Sequence, residues 1–321
     1  MAITANYNCT AKLKQFMMID KFFVCGFSFS VKMSNFVFLI PPKRHEMSDQ
    51  PMRIDVDKVL RERLPKHYRY IPRFVIHWLE RTICQDSLNT ILKKMAGKNS
   101  VDAASAALDE MGITVTATGL DRLPEGRYMF VSNHPLGGLD GLALISLLGN
   151  RYNHRIKFLV NDLLMAVEPL RGVFLPVNKY GKQSRGAASQ IEEALSSDAQ
   201  FITFPAGLCS RMQPDGTIAD LTWQKAAVVH SVNYQRDIVP VFFDACNSKF
   251  FYRFAEWRKR LGIKFNIELV FLPKEMLKQS GSTLHAIIGE PIPWTSLDSR
   301  APKTEAQRLR DIVYQMKPSK P

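Results

Sequence analysis

A histidine and an aspartate stand six positions apart in a glycine-rich stretch, residues 132 to 141, that reads SNHPLGGLDG. One apolar run before it predicts a buried strand, and another after it predicts a helix. Pro135, Gly137 and Gly138 allow the chain to turn back, so the Asp140 carboxylate can reach one imidazole nitrogen of His134. That contact would fix the imidazole tautomer and leave the other nitrogen facing a cleft as a general base. The alternative is a glycine turn with an exposed histidine.

The chain around this stretch alternates between predicted strands and helices. Strands are predicted at Ile113–Thr118, Arg127–Ser132, Ile156–Val160, Val173–Val177, Gln200–Phe204, Ile238–Phe243, Ile267–Phe271 and Leu284–Gly289. Helices are predicted at Leu139–Leu148, Ser184–Leu195, Trp223–Asn233, Lys249–Leu261 and Thr304–Met316. The alternation predicts an α/β fold, a layered sheet flanked by helices and at least partly parallel. Ligands bind such sheets at the carboxyl ends of the strands, which is where His134 lies.

Residues 1–46 differ from the rest of the chain. They are rich in apolar side chains, but Asp20, Lys21 and Lys32 interrupt them, so no run of about 20 apolar residues could span a membrane. A compact signal-peptide core with a small-residue cleavage site is also not evident. We interpret this segment as a poorly ordered leader, or as an extension upstream of a true start at Met47.

Residues 47–112 predict a helical segment that precedes the sheet. Pro72 suits a first helical position, and Ser100 is a candidate N-cap. Aromatic and cationic residues alternate in Arg73–Arg81, a composition typical of a membrane interface, although a helical cap packed on the main domain is equally open. The predicted organisation is completed by an α/β domain at 113–300 and a C-terminal helix and tail at 301–321.

Composition limits the partners and the compartment. The chain of 321 residues is 46% hydrophobic, and 43 Lys and Arg against 30 Asp and Glu give a net charge of +13. Such a charge suits an anionic membrane surface or an acidic protein, and no recognised nucleic-acid motif accompanies it. The five cysteines form no CxxC pair or metal-ligand spacing, so we expect a reducing cytoplasm and no metal.

Taken with three later motifs, the His134–Asp140 stretch resembles the first motif of the glycerolipid and lysophospholipid acyltransferases, the family of 1-acylglycerol-3-phosphate acyltransferase. In that family four residues separate the histidine from the aspartate, whereas here there are five, Pro135 to Leu139. The resemblance implies the family's layered mixed sheet. It also implies that His134 and Asp140 are catalytic and that Asn133, Gly137 and Gly138 contact substrate.

A second stretch, Phe204–Arg211, resembles the family's Phe-Pro-Glu-Gly-Thr-Arg-Ser block, which lines the acceptor site. Gly207, Ser210 and Arg211 would bind substrate there, because a glycine lets backbone N–H groups approach an oxyanion and a guanidinium suits phosphate or carboxylate. Ala206 replaces the usual glutamate, and the arginine is displaced by two positions. A lyso form of an amino-acid lipid therefore becomes a credible acceptor. In the structural alternative, the arginine pairs with Asp215 or Asp220.

Two further stretches complete the resemblance. Gly172–Lys179 resembles the second motif, an apolar strand that ends in a basic residue, although by itself it indicates only a buried strand with a polar end. Lys225 lies where the family often has a lysine that opens a helix, and Val239–Val241 resembles the fourth motif. The resemblance therefore adds Lys179 and Lys225 to the predicted substrate-binding residues.

The implied activity is O-acyl transfer in membrane lipid biosynthesis, at the cytoplasmic face of the inner membrane. A fatty acyl group would pass from acyl carrier protein (ACP) or coenzyme A to a lysolipid hydroxyl, with these thioesters as co-substrates and no cofactor. The branch resembled most is the hemolysin-like group that acylates lyso-ornithine or lyso-glycine lipids. The alternatives are a lipid or thioester hydrolase that uses the same pair and a non-enzymatic, membrane-binding basic protein. No GxSxG elbow supports a serine nucleophile.

Overall fold

Seven strands form one mixed sheet in the computed structural model, which describes residues 52–177, 185–263 and 266–318. Their order across the sheet is β1-β9-β8-β2-β5-β3-β4, and every neighbouring pair is parallel except β8 with β9. A small antiparallel hairpin, β6 with β7, stands apart from it. The strands are β1 Thr114–Thr118, β2 Tyr128–Ser132, β3 Ile156–Asn161, β4 Phe174–Val177, β5 Gln200–Thr203, β6 Arg211–Met212, β7 Ile218–Ala219, β8 Asp237–Phe243 and β9 Thr283–Ile288.

Helices cover both faces of the sheet and precede it along the chain. They are α1 Val56–Arg63, α2 Arg73–Thr82, α3 Gln85–Met95, α4 Ser100–Glu110, α5 Gly138–Arg151, α6 Arg185–Ser196, α7 Ala226–Tyr234, α8 Lys249–Arg260, α9 Leu272–Leu277 and α10 Pro302–Gln315. The predicted α/β class, with its layered mixed sheet and helical prelude, is therefore confirmed. The predicted leader, residues 1–46, lies outside the described residues.

The central strand β2 shows why the fold has three layers. Its side chains are all buried, and successive side chains of a strand point to opposite faces. Phe130 joins a core with α3, α4 and α5, whereas Met129 and Val131 join a second core with α6, α7 and α10. A strand buried on both faces reads as a continuous apolar run, as this one does in the sequence.

Three predicted local features were wrong. Ile267–Phe271 is a 3-10 helix rather than a strand. In this helix Glu268 points into the interior, where it pairs with Arg211 and Arg258. Asn99, not Ser100, caps α4, since its side-chain oxygen accepts the first-turn N–H groups. The helix predicted from Trp223 begins three residues later, because Trp223 is committed to a contact in the site.

The N-terminal helices pack on the main domain and also expose aromatic side chains. Helix α2 buries Val75 and Ile76, and its apolar side packs near Val270. Phe74 on the same helix and the neighbouring Tyr70 are about half exposed. The two interpretations of this segment, cap and membrane interface, are therefore compatible. Among helices in the described part of the chain, none is long and apolar enough to cross a bilayer.

Parallel pairing brings the candidate site together. Strand β2 lies between β5 and β8 and runs parallel to both, so the three strands end at the same edge of the sheet. The loops that follow them are residues 133–137, 204–210 and 244–248. The glycine-rich stretch and the Phe204–Arg211 stretch, about 70 positions apart in sequence, become neighbours at this edge.

Candidate active site

The glycine-rich loop folds back and pairs its histidine with its aspartate. The Nδ1 atom of His134 lies 3.1 Å from Oδ2 of Asp140. Gly137 makes the reversal with φ +88° and ψ −125°, angles that side-chain-bearing residues avoid. Gly138 then opens α5, so the aspartate falls in the first turn of the helix. Five intervening residues therefore close the pair, with Gly137 accommodating the backbone geometry.

Asp140 is completely buried and acts as the organiser of the loop. Its Oδ2 also accepts the backbone N–H groups of Leu136, at 2.8 Å, and of Gly137, at 3.1 Å. Burial raises the pKa of the Asp140 carboxyl, and the hydrogen bonds from His134, Leu136 and Gly137 offset part of that shift. Its Oδ1 has no hydrogen-bond partner among the described residues. The carboxylate thus fixes both the loop backbone and the imidazole.

The imidazole of His134 is held by stacking as well as by hydrogen bonding. The ring of Phe204, which follows β5, lies parallel to it with a centroid distance of 3.9 Å and an interplanar angle of 17°. The histidine side chain is 17% exposed, and among the described residues Nε2 has no hydrogen-bond partner. Because the carboxylate accepts a hydrogen bond from the Nδ1–H group, the proton of the neutral ring stays on Nδ1 and Nε2 carries the lone pair. This is the geometry of a general base that is open to a ligand.

Asp220 joins the two loops of the site. Its Oδ1 accepts the backbone N–H of His134 at 3.1 Å and the hydroxyl of Ser210 at 2.6 Å, and its Oδ2 accepts the indole N–H of Trp223 at 2.9 Å. The backbone N–H of Ser210 in turn donates to the carbonyl of His134 at 2.7 Å. Asp220 is 1% exposed. It positions the histidine by its backbone rather than by its ring.

Replacing Asp220 by asparagine should lower kcat about 10- to 100-fold with little change in KM. An amide has one acceptor oxygen, so it must abandon either the indole or the Ser210 and His134 donors, and a displacement near 1 Å can cost about 100-fold. Steady-state kinetics would measure the changes in kcat and KM separately. Asp215→Asn, in the exposed turn where Asp215 holds Thr217, is the matched control and should be neutral. An unchanged kcat in D220N would contradict the positioning role.

Two predicted substrate-binding side chains are occupied inside the protein. The Asn133 amide donates to the carbonyl of Phe243 and accepts its N–H, at 2.9 and 2.8 Å, which ties the loop to the end of β8. Ser210 is 2% exposed and donates to Asp220. Both residues lie beside the pair, as predicted, but their polar atoms hold the loops. Substrate contact by either stays a prediction.

Arg211 is buried in a cluster of three charges. Its NH2 lies 3.1 Å from Oε1 of Glu268, whose Oε2 lies 2.8 Å from Nε of Arg258. Its NH1 donates to the carbonyl and the sulfur of Cys209, at 2.7 and 2.9 Å. The alternative prediction that Arg211 pairs with Asp215 or Asp220 was wrong, because Glu268 reaches it from 57 positions away. At 3% exposure, contact with an anionic substrate would require Arg211 to leave this cluster.

Replacing Glu268 by alanine should lower the free energy of unfolding by about 3 to 5 kcal/mol. The change would leave two guanidinium groups buried without their shared counter-ion, and an uncompensated buried charge is costly. Urea denaturation at neutral pH would measure it. Glu256→Ala removes a glutamate from α8 whose partner Lys259 is largely solvated, so it should cost less than about 1 kcal/mol. Equal losses in the two variants would contradict the account of the cluster.

The remaining predicted residues are placed as follows. Gly207 has φ +65°, and its N–H donates to the carbonyl of Phe204 within a turn. The N–H of Gly137 is taken by Asp140, whereas Gly138 is exposed and, among the described residues, its N–H has no hydrogen-bond partner. Lys225 is exposed at the start of α7. Lys179 lies outside the described residues.

Sequence reasoning missed three residues that shape the site. Phe204 appeared only as part of a motif, Asp220 only as an alternative partner of Arg211, and Glu268 had no assigned role. The signals were weak: Asp220 follows a two-residue strand, and Glu268 sits inside an apolar run that predicts a strand. A charged residue within an otherwise apolar segment was the available clue, since such residues are rarely buried without a partner.

Comparisons with known proteins extend these observations. The chain matches the Acyltransferase family over residues 58–320. It is 45% identical over 270 residues to lyso-glycine lipid O-acyltransferases of Bacteroides thetaiotaomicron and Phocaeicola vulgatus, covering 84% of this chain and 99% and 96% of those proteins. A solved structure, the 1-acyl-sn-glycerophosphate acyltransferase PlsC from Thermotoga maritima, aligns with 16% identity over 76% of this chain and 97% of that one, with a TM-score of 0.40. The family match includes both His134 and Asp140.

Proposed function

The chain belongs to the acyltransferase family, and on that premise we propose that it moves a fatty acyl group from a thioester to the hydroxyl of a lyso-glycine lipid. The family and its relatives make it a lysolipid O-acyltransferase. The acceptor follows the two relatives that are 45% identical to this chain over 270 residues. The donor would be acyl-ACP or acyl-coenzyme A.

The proposed mechanism is direct transfer with His134 as general base. A hydroxyl is a weak nucleophile at neutral pH, so Nε2 takes its proton as the oxygen attacks the thioester carbonyl. Asp140, on Nδ1, stabilises the imidazolium that forms. Collapse of the tetrahedral intermediate breaks the carbon–sulfur bond, and the imidazolium returns the proton to the thiolate. The products are an ester and a free thiol, with no covalent enzyme intermediate.

The developing oxyanion needs hydrogen-bond donors close to this base. Of Gly137 and Gly138, Gly138 is the better candidate, because the N–H of Gly137 is already bonded to Asp140. Gly138 is the first residue of α5, and the N-terminal turn of a helix favours negative charge. Preorganised donors of this kind are among the largest contributors to catalysis. We assign the oxyanion to this first turn.

The expected partners fit the charge and the surface of the protein. A net charge of +13 would attract both an anionic membrane, which holds the lysolipid, and an acidic carrier protein. Exposed Phe74 and Tyr70 accompany Arg73 on and near α2, as expected for a peripheral interface. Peripheral attachment at the cytoplasmic face of the inner membrane, with no nucleic acid and no metal or other cofactor, remains part of the proposal.

The single observation that carries the mechanism is the 3.1 Å contact between His134 and Asp140, which leaves Nε2 open. The test is the consumption of acyl-ACP and acyl-coenzyme A with and without a lyso-glycine lipid, with the lipid product followed by mass spectrometry. Transfer predicts that thioester loss depends on the acceptor and matches the ester formed. Acceptor-independent loss would indicate the alternative, a hydrolase in which the same pair activates water. The non-enzymatic alternative predicts no loss.

A further inference from the structure

A polar cleft of about 600 Å³ lies beside the candidate active site. The loop after β5, the segment before α7 and the C-terminal helix α10 form its walls. The polar side chains that line it include Gln213, Asp220, Thr222, Gln224 and Arg310, and Ala206 and Leu208 add apolar surface. Neither His134 nor Asp140 lines this cleft, so its ligand chemistry depends on its own side chains.

Arg310 supplies the positive charge of the cleft, and not all of its N–H donors have a strong partner. Its NH2 donates to the backbone carbonyl of Asp220 at 2.9 Å, and its guanidinium lies over the ring of Tyr314, 4.9 Å from the centroid. Its Nε is buried and has no hydrogen-bond partner among the described residues. Its NH1 is 3.6 Å from Asp311, a carboxylate that is 64% exposed and therefore a weak partner. The buried Nε cannot reach a ligand in the cleft, so NH1, with its weak partner, is the donor group available to a carboxylate.

Some of the other polar groups of the cleft hold the protein together, and others are available to bind a ligand. The Asp220 carboxylate accepts three hydrogen bonds, and the Gln213 amide nitrogen donates to two backbone carbonyls. Gln224 and Thr222, in contrast, are exposed, and no side-chain hydrogen bond from either is present in the described part of the chain. An amide and a hydroxyl can both donate and accept, as recognition of a secondary amide requires.

The cleft and the base share their supporting residues. Phe204 stacks on His134, and Ala206 and Leu208 of the same loop line the cleft. Asp220 holds the backbone of His134 and is itself a wall of the cleft. A head group in the cleft would thus contact the same loop and the same aspartate that position the base. Arg211, the arginine expected to hold an anion, is instead paired with Glu268.

We propose that this cleft is the head-group subsite, in which Arg310 binds the free carboxylate of an amino-acid lysolipid and Gln224 and Thr222 contact its amide. The proposal rests on the proposed function, because it assigns a place to the acceptor of that reaction. Glycine joined to a fatty chain through its nitrogen presents these two groups, a carboxylate and a secondary amide. Phosphate head groups lack the amide.

The test compares the lyso-glycine lipid acid with its methyl ester, which keeps the hydroxyl and amide but loses the charge. The wild-type protein should favour the acid by about 10- to 100-fold in kcat/KM, the range of a charge-assisted pair. Arg310→Gln should remove most of that preference by slowing the acid and sparing the ester. Gln224→Glu, at an exposed position, should do the same by repulsion. Lys303→Gln, an exposed cation on α10, is the control and should preserve the preference.

Equilibrium binding of the acid and the ester to the same proteins separates failure of this proposal from failure of the proposed function. Preferential binding of the acid that depends on Arg310 would support the subsite even if no acyl transfer occurred, and only the reaction would then be wrong. Acyl transfer with equal use of acid and ester would overturn the subsite alone. Equal slowing of both acceptors by R310Q would mean that Arg310 only holds Asp220, and it would overturn the subsite too.

Discussion

Replacing His134 by alanine should lower kcat/KM for acyl transfer by about 10³-fold or more. General base catalysis contributes about 10² to 10⁴-fold. His134 is the base that the glycine-rich loop offers to the acceptor hydroxyl. The fold should survive, because the loop is held by main-chain bonds that alanine retains: its N–H to Asp220 and its carbonyl to Ser210. Thioester and product should be measured together at saturating acceptor.

The matched control for that variant is His285→Ala. His285 is exposed on β9, where its ring contacts Thr116 and Thr118. The substitution therefore removes a histidine from the same sheet but away from the site. Its activity should stay within about twofold of wild type, as expected for a surface substitution. Liposome binding should be the same in both variants. Retention of a tenth or more of the activity by H134A would remove His134 from the mechanism.

Replacing Asp140 by asparagine should lower kcat by about 10² to 10⁴-fold. The upper end of this range is the loss measured for a triad aspartate in a serine protease, where the wrong imidazole tautomer forms. Here an asparagine oxygen in the place of Oδ2 could still accept the Nδ1–H group, and the lower end of the range corresponds to loss of the charge alone. Asparagine can keep one oxygen toward the N–H groups of Leu136 and Gly137, so the loop itself should persist. The imidazole would then lose its charged partner, and KM should change less than kcat.

A stability measurement distinguishes this loss from unfolding. Because burial raises the pKa of Asp140, its ionised form opposes folding at pH values above the folded pKa, so the neutral amide should not unfold the protein. Asp140→Ala, in contrast, leaves two buried N–H groups without an acceptor, at a cost of about 1 to 3 kcal/mol each. Asp121→Asn, at an exposed position, should affect neither activity nor stability. A fully active D140N would contradict the role of the carboxylate.

The layout of the sheet was predictable because it depends on local patterns. Strand β2 has an apolar run before its terminal Ser132 and is followed within a few residues by a proline and two glycines, so its place inside a parallel sheet could be predicted. The run Ile267–Phe271 is also mostly apolar, yet it folds as a 3-10 helix. Short apolar runs do not distinguish these outcomes, because the deciding contact, from Glu268 to Arg211, is distant in sequence.

The candidate site divides in the same way. His134 and Asp140 are six positions apart, so a turn with the right glycine was enough to predict their contact. Asp220 reaches His134 from 86 positions away, and Arg310 reaches Asp220 from 90 positions away. Nothing in a single sequence pairs residues at such separations. For this reason the C-terminal helix was predicted without a packing partner, although its Leu309 and Val313 are buried in one of the two cores.

The measurement that tests the central claim most directly is the loss caused by H134A on two matched acceptors, the hydroxyl lysolipid and its thiol isostere, at pH about 8.5. A thiol is far more acidic than an alcohol, with a pKa of about 8.5 for the cysteine side chain, so a reactive thiolate fraction forms at this pH without a base. An alcohol must lose its proton to a base as it attacks. If His134 is that base, the loss should fall from about 10³-fold on the hydroxyl to about 10-fold or less on the thiol. Equal losses on both acceptors would show that His134 serves the reaction in some other way.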